Sequence, residues 1–275
     1  MIELIREMFH YPFMFRAFFA GTMITLCASL LGVCLVLKRY SMIGDGLSHV
    51  GFGALALASV LNLTPFVFSI PVVIVGAVIM QKMSESGRIG GDAAIALLSS
   101  GAMAFGIMII SMTQGMNVDV YNYLFGSILS MSRSDVLLSA FLSAFILFLY
   151  VIGYNRIFSV VFDEEFARAT GTNAKIYNLL ISVITAVIIV LGMKMMGALL
   201  ISSLIVFPSL TSMRVCKTFK SVVFSSAVVS VICLWIGITI SYLYAAPAGA
   251  SIVLCNAAAF AVYSLVSVLR HRHRT

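Results

Sequence analysis

The chain has few charged residues. They make up 10% of its 275 residues, and only ten residues are acidic, whereas soluble domains carry about 25% charged residues. Hydrophobic residues make up 61%, and charge-free runs at 18–37 and 93–118 reach the roughly 20 residues that a helix needs to cross a bilayer. The composition therefore excludes a soluble globular enzyme and predicts an all-α polytopic membrane protein.

Motifs for catalysis and nucleotide binding are also missing from the sequence. No Gly-x-x-x-x-Gly-Lys-Ser/Thr loop occurs, so the chain has no phosphate-binding loop with which to hydrolyse ATP. There is no His-Glu-x-x-His pair and no Gly-x-Ser-x-Gly elbow. The five cysteines form no Cys-x-x-Cys pair, a pattern typical of small buried side chains. We therefore expect a non-catalytic membrane subunit without a permanently bound cofactor and, since no basic patch is interleaved with aromatic residues, without a nucleic-acid partner.

Charge-free runs and turn-forming residues together predict nine membrane spans. Residues 62–65 and 245–249 separate neighbouring spans, because Pro and Gly favour turns where the chain leaves the bilayer. The apolar stretch 120–132 is too short to cross, and we predict an interfacial or re-entrant piece there. The predicted spans are 18–37, 46–61, 66–81, 93–113, 136–154, 176–193, 195–213, 221–243 and 250–269.

Lys and Arg are distributed unevenly between the two sides of this topology. Short loops rich in Lys and Arg stay cytoplasmic, which predicts a cytoplasmic C-terminus and, with nine spans, an external N-terminus. No soluble domain or linker is visible, so we predict that residues 1–275 form a single transmembrane domain. The cytoplasmic side receives 13 of the 17 basic residues, namely Lys38, Arg39, Lys82, Arg88, Arg156, Arg168, Lys175, Arg214, Lys217, Lys220, Arg270, Arg272 and Arg274.

An acid and a histidine lie four residues apart in the Gly-rich segment 44–53. On a helix, Asp45 and His49 lie on one face and can present a carboxylate oxygen and an imidazole nitrogen to one point. Zinc and similar divalent metals accept such mixed ligands. A structural pair within the bundle would have the same spacing, so the sequence leaves both readings open.

The predicted cytoplasmic segment 162–171 has the pattern of a short helix. Acidic residues occupy its first turn, where the helix dipole favours them, and Gly171 can end it. Phe162, Phe166 and Ala169 form a small apolar ridge that could dock on a partner, although a solvated loop helix would have the same pattern. The residues of this candidate docking segment are Phe162, Asp163, Glu164, Glu165, Phe166, Arg168 and Gly171.

A third feature is the predicted span 195–213, which is rich in small residues and contains Pro208. Pro208 removes a backbone hydrogen bond and predicts a helix kink. Ser202 and Ser203 could face a transport path or a neighbouring helix.

Five segments, in this order along the chain, carry a resemblance. They are 39–49 (RYSMIGDGLSH), 118–129 (VDVYNYLFGSIL), 162–171 (FDEEFARATG), 194–208 (KMMGALLISSLIVFP) and 246–255 (APAGASIVLC). The chain resembles the integral membrane permease of bacterial ABC importers for zinc, manganese and iron. His49 is followed by Val50, Gly51, Phe52 and Gly53, which is more similar to the zinc branch than the Leu-Pro-Gly turn usual in the manganese and iron branch.

The resemblance implies a permease of about eight to nine helices with the vitamin B12-importer (type II ABC importer) fold. It implies a homodimer in the bacterial cytoplasmic membrane, with a metal path at the subunit interface in which Asp45 and His49 contact the ion transiently. Two ATPase subunits would dock inside on a coupling segment at about 162–172. A metal-binding receptor protein would dock outside, with zinc as the expected substrate.

Two alternatives have a different energy source or a different ion. A secondary transporter driven by an ion gradient would use Asp45 and His49 as a proton relay, and it would not need an ATPase. A permease of the same family could carry manganese, iron or a chelate. An intramembrane enzyme would need a further catalytic constellation, which the sequence does not contain.

Overall fold

The chain is described over residues 11–85, 90–113, 124–126, 132–198 and 200–272 of a computed structural model. Within these ranges it forms ten α-helices and no strand. The helices are α1 (Pro12–Leu37), α2 (Ile43–Val60), α3 (Pro65–Glu85), α4 (Gly91–Met112), α5 (Arg133–Phe162), α6 (Glu164–Ala169), α7 (Ala174–Met196), α8 (Ile201–Met213), α9 (Phe219–Tyr244) and α10 (Ala248–Arg272).

Eight of these helices are long and apolar enough to cross a membrane, which confirms the predicted all-α polytopic fold. The predicted span at 195–213 is wrong in its bounds. α7 continues to Met196, and Gly197 ends it with a positive φ of 86°. α8 is then left with 13 residues, about 20 Å of helix, which is shorter than the roughly 30 Å hydrocarbon core.

The piece predicted at 120–132 lies outside the described residues, apart from 124–126 and 132. Its described part packs against the end of α7. A Cβ at Gly197 would lie 2.2 Å from the Leu124 carbonyl oxygen, and one at Gly126 would lie 2.3 Å from the Met196 carbonyl carbon. Both glycines also have positive φ, so this backbone-to-backbone contact depends on the absence of side chains.

One end of the helix bundle carries α6 and is called the α6 end. There the Lys38 Nζ lies 3.3 Å from a Glu164 carboxylate oxygen, and the Tyr40 hydroxyl lies 3.0 Å from that of Ser84. These contacts bring together the end of α1, the end of α3 and the start of α6. The α6 end is the end that the Lys and Arg distribution predicts to be cytoplasmic.

The opposite end is joined by a second ion pair. The Lys194 Nζ lies 2.5 Å from Asp135 Oδ2, and both side chains are mostly buried. The same ammonium lies 5.1 Å from the centre of the Phe66 ring. These contacts connect the start of α3, the start of α5 and the end of α7.

Burial separates the helices into a centre and a periphery. Most residues of α1, α2 and α7 are buried, whereas most residues of α3, α4, α5 and α10 are not. The uncovered residues of α5 include Phe141, Phe145 and Phe148, the kind of surface that contacts lipid tails. α2, which carries Asp45 and His49, therefore belongs to the central part of the bundle.

Two glycines bring α2 against α4. A Cβ at Gly53 would lie 2.7 Å from the Ala102 carbonyl oxygen, and one at Gly106 would lie 3.0 Å from the Gly53 Cα. Small residues allow such close helix contact in membranes. The contact fixes the position of α2 and its polar residues relative to α4.

Gly53→Ala is expected to destabilise the protein, because its added methyl group meets backbone that cannot rotate away. Overpacking of this kind costs about 1–3 kcal/mol of the free energy of unfolding, measurable as a lower Tm in detergent. The matched control is Gly44→Ala on the same helix, where the nearest atom, the Ser202 Cβ, is 3.5 Å away. Equal Tm values for the two variants would contradict this account of the α2–α4 contact.

Candidate metal path

A groove runs along α2 and α4 and contains both residues that the sequence singled out as metal ligands. Its volume is about 530 Å³. Its polar and sulfur-bearing lining residues are Met42, Asp45, His49, Asp92, Ser99, Ser100 and Met103. Exposed lining residues of α4 extend from Asp92 in its first turn to Ile107, so the groove opens on the side of the helix bundle.

Asp45 and His49 lie on the same face of α2, as their spacing predicted. The His49 Nε2 lies 3.9 Å from Asp45 Oδ1, which is too long for a hydrogen bond. The side chain of Asp45 is 47% exposed and that of His49 is 20% exposed. A carboxylate oxygen and a ring nitrogen are thus close together on the groove wall without being bonded to each other, an arrangement that leaves both free to bind a cation.

Ser99 of α4 orients the imidazole. Its hydroxyl oxygen lies 2.7 Å from the His49 Nδ1. In the tautomer whose Nδ1–H donates to Ser99, the lone pair of Nε2 is free on the side of Asp45. Histidines that bind metals usually donate their other N–H to such a partner, which fixes the ring and raises its basicity.

Sequence reasoning missed both Ser99 and Asp92. Asp92 lies in the first turn of α4 and lines the same groove as Asp45. The available signal was its charge, since it is one of ten acidic residues and directly precedes the predicted span at 93–113. Ser99 offered no signal, because a serine in an apolar helix is common.

The described part of the chain holds no group of three His, Cys, Asp or Glu side chains that could bind a metal ion together. Asp45 and His49 offer two candidate ligands, whereas a closed structural zinc site has four. An ion bound here would need further ligands from water or from another chain. Such an open site suits the transient contact that transport requires.

The candidate docking segment contains a short helix at the α6 end. α6 begins at Glu164, two residues later than the predicted start, and Phe162 is the last residue of α5. Asp163 caps α6, since its carboxylate accepts a hydrogen bond of 2.9 Å from the backbone N–H of Phe166. Gly171 follows α6 with a positive φ of 85°, the conformation common after helix ends.

The aromatic residues of this segment are exposed, whereas its small residue is buried. The exposed fractions of Phe162 and Phe166 are 76% and 62%. Ala167 is buried against Val160 and Ala174, which attaches α6 to the end of α5 and the start of α7. The two rings therefore form an apolar surface on a helix that is anchored from behind.

The residues predicted around the kink lie on α8. Pro208 is buried inside this helix, and Ser202 and Ser203 are partly buried. Ser202 lies beside the start of α2, since a Cβ added at Gly44 would be 3.5 Å from the Cβ of Ser202. The structure does not bring these serines into the groove lining, and their part in the path stays a prediction.

Comparison with known proteins places the chain among membrane proteins of metal transport systems. The high-affinity zinc uptake system membrane protein ZnuB of Haemophilus influenzae is 26% identical over 91% of this chain and 96% of that protein. The manganese transport system membrane protein MntC of Halalkalibacterium halodurans is 25% identical over 93% of this chain and 88% of that protein.

A solved structure and a family profile agree with these relatives. The structure of PsaBC from Streptococcus pneumoniae in complex with Fab is 28% identical, with a TM-score of 0.86 over 96% of this chain and 95% of that chain. The likeness confirms the predicted permease fold. The profile of the ABC 3 transport family matches residues 10–267, and the chain belongs to this family.

Proposed function

We propose that this chain is the permease subunit of an ATP-driven ABC importer that moves divalent transition-metal ions, first of all zinc, across the bacterial cytoplasmic membrane. The observation that carries the proposal is the pair formed by Asp45 and His49. Their donor atoms lie 3.9 Å apart on an open groove wall, in a family of transport proteins. The pair would bind the ion transiently, and Ser99 would hold the imidazole in place.

Energetic cost and ligand chemistry support this role. Ionisable side chains inside a membrane are costly and usually mark a substrate or ion path. A carboxylate and an imidazole together suit zinc and its first-row neighbours. The groove also contains Asp92 at the start of α4, which would give a cation a further carboxylate on its way toward the α6 end.

The lateral opening of the groove supports a homodimer. If the groove faced lipid, the ionisable side chains of Asp45 and His49 would be exposed to hydrocarbon, which is energetically costly. A protein surface that covers the groove would avoid this cost. A second copy related by two-fold symmetry would cover the groove and bring a second Asp45 and His49 to the same axis. The ion would then meet four protein ligands, the number that zinc prefers.

The two ends of the bundle would receive different partners. We infer that the α6 end and the C-terminus are cytoplasmic, because 13 of 17 basic residues belong to that side. There an ATPase subunit would dock on Phe162, Phe166 and their neighbours. At the opposite end a metal-binding receptor would release the ion into the outward-open dimer, and ATP-driven movement of α6 would open the inner side.

We propose zinc before manganese and iron as the substrate because of the residues that follow His49. The Val50–Gly53 segment lacks the Leu-Pro-Gly turn usual in manganese and iron permeases of this kind. The ZnuB and MntC relatives differ little in identity, at 26% and 25%, so a manganese or iron permease is the alternative within the family.

The deciding experiment measures metal transport into vesicles that contain this chain together with the ATPase subunit and the receptor protein proposed as its partners. We expect ATP-dependent uptake of zinc that exceeds uptake of manganese, because the ligand pair and the zinc-like segment favour it. Vesicles with the chain alone are the control, and they should take up neither ion. Uptake that persists without the ATPase would overturn the proposal in favour of a secondary transporter with an Asp45–His49 proton relay.

A further inference from the structure

An ion pair connects α6 to the end of α1. The Lys38 Nζ lies 3.3 Å from Glu164 Oε2 and also donates to the side-chain oxygen of Asn178. The Asn178 amide donates a hydrogen bond of 3.1 Å to the same Glu164 oxygen. Three side chains from α1, α6 and α7 therefore form one closed triangle, which we call the Lys38 cluster.

This cluster is better protected from water than an ordinary surface ion pair. The exposed fractions of the Lys38 and Glu164 side chains are 10% and 32%. Burial lowers the pKa of Lys38, and Glu164 opposes that effect. Burial also acts against the Glu164 carboxylate, but hydrogen bonds from Asn178 and Lys38 outweigh it, so the pKa of Glu164 lies below its usual value.

Lys38 is joined by a stiff turn to the helix that carries the metal ligands. Arg39 has a positive φ of 61°, and the Tyr40 N–H donates a hydrogen bond of 2.9 Å to the Leu35 carbonyl. α2 begins at Ile43, two residues before Asp45. Only residues 39–42 separate Lys38 from α2, so a displacement of Lys38 would reach α2 through a short connection.

A pocket beside the Lys38 cluster leaves space for such a displacement. It has a volume of about 200 Å³ and lies between the cluster and α3, where Gln81 and Ser84 line it. On the other side, α6 packs against α5 and α7 through the buried Ala167. The Lys38 cluster thus connects α6 through polar contacts to the turn that leads into α2.

We propose that the Lys38 cluster transmits movement of α6, driven by the ATPase, to α2 and so to Asp45 and His49. Lys38, Glu164 and Asn178 act as positioning residues that do not touch the ion. This inference rests on the proposed function and adds to it the route by which ATP hydrolysis reaches the metal path. Loss of the cluster would uncouple hydrolysis from transport while the ATPase stays bound.

The test measures metal ions imported per ATP hydrolysed in vesicles that contain this chain with its ATPase and receptor, using zinc. Lys38→Met and Glu164→Gln are each expected to lower this ratio about tenfold, within the range usual for coupling between sites, while the ATPase still copurifies. Lys38→Arg keeps a cation beside Glu164 and should retain most of the ratio; a charge swap is unsuitable as a rescue, because a lysine at position 164 would face Arg168, whose guanidinium lies 2.5 Å from the Glu164 carboxylate. Lys82→Met makes the same chemical change at an exposed lysine of α3 and should leave the ratio unchanged.

Each other result would overturn the proposal. An unchanged ratio in both Lys38→Met and Glu164→Gln would show that the cluster does not couple the two processes. Parallel loss of hydrolysis, transport and copurification would make it a docking or folding contact. If the wild-type complex imports no metal ion, the proposed function fails and this inference fails with it, whereas wild-type transport with unaffected variants removes this inference alone.

Discussion

His49→Ala and Asp45→Ala are expected to abolish metal uptake in the assembled complex. Each removes one of the two proposed ligands, whose His49 Nε2 and Asp45 Oδ1 lie 3.9 Å apart on the wall of the groove. Loss of a residue that only supports a ligand costs about 10- to 100-fold in metal affinity or activity. Loss of a ligand should therefore reduce zinc uptake by about 100-fold or more.

Ser99→Ala is expected to reduce zinc uptake less than His49→Ala or Asp45→Ala. It removes the 2.7 Å contact with the His49 Nδ1 but keeps both ligands, so uptake should fall by about tenfold. The matched control is Ser48→Ala, next to His49 in sequence, where the hydroxyl bonds to the Asp45 backbone carbonyl of its own helix. Membrane insertion and ATPase copurification should be normal in all four variants, and normal zinc accumulation by the Asp45 and His49 variants would remove these residues from the metal path.

Truncating the exposed rings at the α6 end should separate the permease from its ATPase. Aromatic residues that are buried on binding contribute about 2 kcal/mol or more each when they are hot spots. Phe162→Ala with Phe166→Ala should therefore weaken ATPase binding by at least about 100-fold, and ATP-dependent uptake should disappear with it. Copurification of the two subunits and binding in detergent measure the effect directly.

The control for this double variant is Phe141→Ala on α5. Phe141 is 71% exposed, but it lies on a membrane-spanning helix instead of the α6 segment. Its removal should leave ATPase binding unchanged. Full binding by the Phe162 and Phe166 double variant would show that the ATPase docks elsewhere on the chain.

Local features of the sequence predicted most of the fold. Charge-free runs and Pro- or Gly-containing turns placed most ends of the long helices within about four residues, because bilayer thickness and backbone chemistry act on neighbouring positions. Two ends were wrong by more, since α1 begins at Pro12 instead of residue 18 and α5 continues to Phe162 instead of residue 154. The pairing of Asp45 with His49 was also local, since it follows from helix periodicity. α8 was predicted too long, because hydrophobicity alone does not reveal the backbone conformation of Gly197.

The parts that were missed depend on contacts between distant positions. Ser99 lies 50 positions from His49, and Glu164 lies 126 positions from Lys38. No periodicity joins residues across such distances, and both contacts exist only because helices pack in a particular order. From the sequence, Lys38 counted only as one of the basic residues that indicate the cytoplasmic side, and Glu164 only as an acidic residue in the first turn of a short helix.

The homodimer proposed to cover the sideways-opening groove would have a genetic consequence. In a symmetric pair of chains, one altered codon changes both walls of the path at once, so a substitution at His49 removes two imidazoles from each assembly. In a cell that makes wild-type and altered chains together, mixed pairs would keep half of the ligands and still occupy ATPase and receptor subunits. Defects at Asp45 or His49 should therefore be partly dominant, whereas defects that prevent a chain from inserting should be recessive.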